Sequence, residues 1–222
     1  MVPMTTTGLR ERKKRETFVR IVTAARELVS ERGIAGVTVD DIAEAAGIST
    51  RTFFNYFSSK NEAVIGSDPQ GFEAAASALR NRPSDERPAR ALWSVITGEG
   101  DDAMLQRWML RNELVRRHPE LLPRHLESFD LATRALTEAV ADRMDVDQGR
   151  DPRPAFVVAT TIAALRSVMA WWQASDRSTD LHVHLATTLT TLEMLDLDAF
   201  RPDPVDPVDP VDPVTARRER IS

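Results

Sequence analysis

The chain has 222 residues, 42% hydrophobic and 28% charged, which is the balance of a soluble globular protein long enough for one large domain or two small ones. It has no cysteine, which excludes disulfides, thiolate metal sites and a cysteine nucleophile and agrees with a reducing cytoplasm. The net charge of −5 is uneven. Residues 1–60 hold 10 Lys+Arg against 7 Asp+Glu, a net of +3, and residues 61–222 hold 19 against 27, a net of −8, so contact with nucleic acid would fall to the basic head.

The N-terminus is polar and then basic, without the apolar run of a secretory signal. From Leu9 to Arg32 apolar residues recur at helical spacing (Phe18, Ile21, Val22, Ala25, Leu28, Val29), and Gly33 stops the helix. "TVDD" makes Thr38 an N-cap with Asp41 three residues on, which predicts a short helix over 39–46 that Gly47 ends. Ser49 caps a helix over 50–57, and Ser59 with Glu62 reads as a capping box for a helix from Lys60. Beyond it, prolines punctuate helical patterns at about 70–81, 86–98, 101–117, 120–145, 153–175 and 179–198. The last two are the most apolar. "AFVVATTIAALRSVMAWW" (155–172) is long enough to suggest a membrane span, but Arg166 in its middle and its Ala and Thr content favour a well-buried soluble helix. The chain is therefore expected to be all-α and not in a membrane. "DPVDPVDPVDPV" (203–214) closes it with proline at every third position, which reads as a disordered or polyproline tail over 201–222.

Helix 39–46, the turn Gly47-Ile48-Ser49 and helix 50–57 form a helix-turn-helix. Ala43 keeps the crossing close, and Gly47 supplies a positive φ. Phe53 and Phe57 are four apart and face inward. Arg51 and Asn55, also four apart, face outward with Thr52 beside them, a donor-rich face that suits the DNA major groove. Thr50 belongs to the same polar entry into the helix. Thr38 and Ser49 at helix N-termini, Tyr56 at the edge of the outward face, Lys60, and Arg12, Lys13 and Lys14 of the basic segment "RERKKR" are expected at phosphates.

"TVDDIAEAAGISTRTFFNYFSSKNEAV" resembles the DNA-binding segment of the TetR (tetracycline-repressor-like) family of bacterial regulators over about residues 17–66. Phe54 departs from a frequent Tyr, and Asn55 from a frequent His or Tyr. The resemblance implies an all-helical homodimer: a DNA-binding helix-turn-helix domain (1–60) and a ligand-binding and dimerisation domain (61–200) whose last two helices pair across the dimer axis. It also implies a palindromic double-stranded operator and a small-molecule effector, most simply one that releases a repressor. The segment 105–129 loosely resembles regulators thought to answer acyl-CoA-like ligands.

Trp93, Met104, Trp108, Phe129, Met169 and Trp172 could line an apolar effector cavity or simply fill the core. Arg111, Asn112 and Arg166 interrupt apolar patterns and could meet a polar or anionic ligand group or a core carboxylate. His182 and His184 are two apart on a helix and point to different faces, and His118 and His125 are isolated, so no metal site and no cofactor is expected. With no phosphate-binding glycine loop and no nucleophile elbow, an enzyme is not expected either. An architectural DNA protein would be more basic overall.

Overall fold

The computed structural model describes residues 6–98, 101–176, 179–195 and 197; the Pro-Val-Asp repeat lies outside them. All regular structure among the described residues is helical: α1 (Thr6–Arg32), α2 (Val39–Ala45), α3 (Thr50–Phe54), α4 (Lys60–Ile65), α5 (Pro69–Arg80), α6 (Pro88–Thr97), α7 (Asp102–Arg117), a 3-10 turn (Pro119–Leu121), α8 (Leu122–Met144), α9 (Arg153–Ala174) and α10 (Leu181–Met194).

The expected punctuation holds where caps are local. Thr38 Oγ1 accepts from the Asp41 amide, and Asp41 returns a bond to the Thr38 amide at 2.7 Å. Gly33 and Gly47 have φ of +70° and +64°. Two expectations need correction. The second helix of the motif stops at Phe54 rather than 57, because the amides of Asn55 and Tyr56 turn back to Thr52 and Phe53 in a tighter turn. The box at Ser59 is half-formed: its hydroxyl caps the Glu62 amide, but Glu62 bonds the amide and hydroxyl of Ser58 instead.

Two cores result. The first gathers Ile21, Ala25, Val29, Ile42, Phe53, Phe57, Val64 and Ile65, and extends to Leu114 and Leu121. The second lies among α5, α6, α8, α9 and α10, with Leu79, Leu92, Ala139, Val140, Val157, Val158 and Met169 at its centre. Arg143 of α8 donates to the carbonyls of Leu79, Arg82, Pro83 and Glu86 and so fixes the α5–α6 connection. Helix α7 is tied chiefly to α1 and to the 3-10 turn.

The reading of α9 as well buried is overturned. Its most apolar 18-residue window, of mean hydropathy 1.5, is only 28% buried. One face packs on α8, α6 and α10, while Ala159, Ala163, Ala170 and Trp171 of α9 and Val183 of α10 lie exposed.

Candidate nucleic-acid interface and effector region

Packing on α1 and α2 orients α3. Phe53 and Phe57 are buried, with ring centroids 5.9 Å apart, and Phe57 lies 5.1 Å from Phe18 of α1. Ala43 is buried at the crossing, and the Ile48 amide returns to its carbonyl at 2.9 Å. This leaves Arg51, Phe54 and Asn55 exposed on the opposite side. Arg51 has no ion pair among the described residues, so its five donors remain available for a base edge.

Around this face the expected phosphate contacts divide. Arg12, Lys13 and Lys14 are exposed on α1, which is helical throughout this basic segment, and Arg12 reaches Glu16 at 3.5 Å. Tyr56 is half-buried against the first core. The Ser49 hydroxyl accepts from the Thr52 amide and lies 2.8 Å from the Thr52 hydroxyl. Thr50 donates to Asp40 at 2.6 Å and so braces α3 against α2. The Thr38 hydroxyl donates to Asp41, whose carboxyl is held below its usual pKa by the side-chain and backbone bonds from Thr38. Lys60 Nζ donates to the carbonyls of Ile34 at 2.6 Å and Val37 at 2.7 Å, a structural tie across the α1–α2 turn.

Two arginines of α1, Arg20 and Arg26, go unremarked in the sequence, and Arg15 counts there only as part of the basic segment. Arg20 lies beside Gly47: a Cβ there would be 3.7 Å from its Nη1. Arg15 pairs with Asp68 ahead of α5. Buried Arg26 donates Nε to the Val64 carbonyl at 2.8 Å, Nη2 to that of Ile65 at 2.7 Å and Nη1 to that of Arg107 at 3.4 Å. Burial first, then Arg111 and Arg107, push its pKa down to about 9. The signal was present in the sequence: Arg26 sits on the same helical stripe as Val22 and Val29.

The effector candidates fall in several surroundings. Trp93 and Met169 are buried in the second core, and Trp108 packs against it. Trp93 also walls a cleft of about 220 Å³ with Thr97, Leu105, His182, Leu185 and Leu189. Met104 lies against Gly98, Asn112 donates to the Trp108 carbonyl at 2.8 Å, and Trp172 donates to the Thr179 carbonyl at 3.0 Å. Arg111 and Arg166 both act electrostatically on His125, which the sequence reading set aside. Burial, then Arg111 and Arg166, lower the His125 pKa to about 4. The Arg166 guanidinium stands 5.9 Å from the centre of the Phe129 ring.

Residues 21–64 match the family described as bacterial regulatory proteins, tetR family, and residues 90–195 match the MftR C-terminal domain. The chain is 35% identical over 207 residues to the HTH-type transcriptional regulator TcmR of Streptomyces glaucescens, covering 88% of each. It is 26% identical over 170 residues to the HTH-type transcriptional activator FasR of Mycolicibacterium smegmatis, covering 72% of this chain and 74% of that one. Among solved structures, the regulator FadR from Bacillus subtilis in complex with stearoyl-CoA shares the fold, with a TM-score of 0.54 at 18% identity, over 79% of this chain and 97% of that chain.

Proposed function

This chain belongs to the tetR family of bacterial regulatory proteins, DNA-binding regulators of transcription, and from that premise we propose how it acts. Two copies pair through α9 and α10 and hold their α3 helices on a palindromic operator as a cytoplasmic repressor. Arg51 and Asn55 read bases, while Arg12, Lys13, Lys14, Tyr56 and Arg20 meet phosphates. The observation that carries this reading is the division of α3: Phe53 is fully buried, while Arg51 and Asn55 stand exposed. Pairing through α9 and α10 accounts for an apolar face that one copy leaves uncovered.

Residues 1–60 then form the DNA-binding unit and 61–200 the effector-binding and dimerisation unit, with α4 as the joint. A small apolar or amphipathic effector, held near α7, shifts α4 and changes the spacing of the two α3 helices. It acts through its differential affinity for the two states. The relative bound to stearoyl-CoA supports an amphipathic effector. A mobility shift over a salt series, on DNA upstream of the chain's own gene and its neighbours, tests the reading. Discrete binding that Arg51→Ala weakens supports it, and weak binding of every fragment, lost at modest salt, contradicts it.

A further inference from the structure

Arg111 carries its Nε out of contact with solvent and without a hydrogen-bond partner, and it has no ion pair among the described residues. Its spacing with Met104, Trp108 and Val115 puts it on the inward stripe of α7. His125 of α8 likewise buries an unpartnered Nδ1. Arg166 of α9, exposed in one copy, sets its guanidinium 5.9 Å from the centre of the Phe129 ring, on the α8 stripe that also carries His125. After burial, Arg111 and then Arg166 are the charges that hold His125 neutral. Arg111 is half-buried with its Nε sealed from solvent, and native structures leave few such donors unmatched.

We propose that Arg111, His125 and Arg166 form a receiving site for the oxyanion of an apolar acid, with Phe129 and Trp108 against its body. This rests on the effector reading above and specifies the head group of the occupant. A carboxylate, sulfonate or ionised phenol supplies the missing negative charge and accepts from Arg111 Nε and from His125. The site also communicates with the DNA-binding unit. Arg111 repels Arg26, which holds the last carbonyls of α4, so a bound anion relieves that repulsion at the joint.

Two probes with the same apolar body test the site: 8-anilinonaphthalene-1-sulfonate, and N-phenyl-1-naphthylamine, which lacks the sulfonate. Both are titrated by fluorescence into the full-length protein, into Arg111→Met and into Arg166→Gln, each variant first shown by sedimentation to keep the oligomeric state of the wild type. The sulfonate probe should bind roughly tenfold or more weakly to each variant while the neutral probe binds all three alike. Arg111→Met should also melt higher than the wild type without ligand, since an unpaired cation is gone. Equal affinity of the sulfonate probe for all three proteins overturns the oxyanion site and leaves the effector reading standing. Displacement of that probe by inorganic sulfate at similar concentration overturns an amphipathic occupant. Failure of both probes to bind overturns the site and the effector reading together.

Discussion

Arg26 donates to the Ile65 carbonyl at 2.7 Å, so a side chain of α1 closes the C-terminus of α4. Its other two bonds run to Val64 and to Arg107, and one guanidinium thereby joins α1, α4 and α7. The last carbonyls of a helix have no partner within it, and a planar fork of donors suits two of them at once. This places one buried guanidinium at the contact of the two halves of the molecule.

Arg26→Met should cost about 1–3 kcal/mol of stability, because it strands two buried carbonyls. Arg26→Lys should recover little, since an ammonium lacks the fork. Urea melts check both. If the folded Arg26→Met protein still binds DNA, its operator affinity should respond less to effector than that of the wild type.

Gly66 ends α4 at φ +66°, and a Cβ there would lie 3.0 Å from Val22 Cγ1 and 3.1 Å from Arg26 Nη2. Gly66→Ala should therefore cost at least about 1–2 kcal/mol from backbone conformation alone. Thermal melts would show it. A neutral result would mean that α4 is free to end differently.

Arg51→Ala and Asn55→Ala should each weaken operator binding by about 1–3 kcal/mol if each pairs with a base. Lys60→Met should behave otherwise. Its ammonium holds the Ile34 and Val37 carbonyls, so it should lower the melting temperature more than the salt dependence of binding. Replacing Lys13 or Lys14 should reduce the salt slope and leave stability unchanged. Titrations of DNA at several salt concentrations, beside melts, separate the two classes.

Much of this was legible in the sequence because the signals were local. Thr38, Ser49 and Gly47 act within a few residues of themselves, and the inward side of Phe53 follows from helical period, whereas Phe57 lies past the end of α3 and is brought inward by the turn after it. Lys60 was read as a surface cation because its partners, the Ile34 and Val37 carbonyls, are remote in the chain. Arg26 stands out on its apolar stripe without a visible partner, and His125 reads as isolated, for the same reason: Val64, Ile65, Arg111 and Arg166 are remote from them in the chain. The apolar run of α9 reads as core because composition does not separate a buried face from an apolar face that one copy leaves uncovered.

His125 has a folded-state pKa near 4, below the ordinary 6.5, owing to burial and then to Arg111 of α7 and Arg166 of α9. The unfolded chain therefore takes up this proton first as pH falls, and the stability His125 contributes is lost between about 6.5 and about 4. His125→Asn should show a smaller fall in melting temperature than the wild type between neutral pH and the lower end of that window. Parallel curves for the two proteins would mean that His125 is not held neutral by its surroundings.

Trp171 is 53% exposed and Val183 60% exposed on the uncovered face of α9 and α10. A Trp171→Glu, Val183→Asp double variant should sediment as a monomer that keeps its helical signal and loses operator binding. Dimers of the double variant would place the two-fold axis elsewhere.

The most direct measurement is a footprint of the full-length protein on the DNA upstream of its own gene. Two α3 helices held by a symmetric dimer predict a palindromic protected stretch with half-site centres about 10 base pairs, or a multiple of that, apart. The same stretch should fail to be protected by the Arg51→Ala, Asn55→Ala double variant. Protection of a single unpaired site, or identical protection by the double variant, would contradict a dimer that reads its operator through α3.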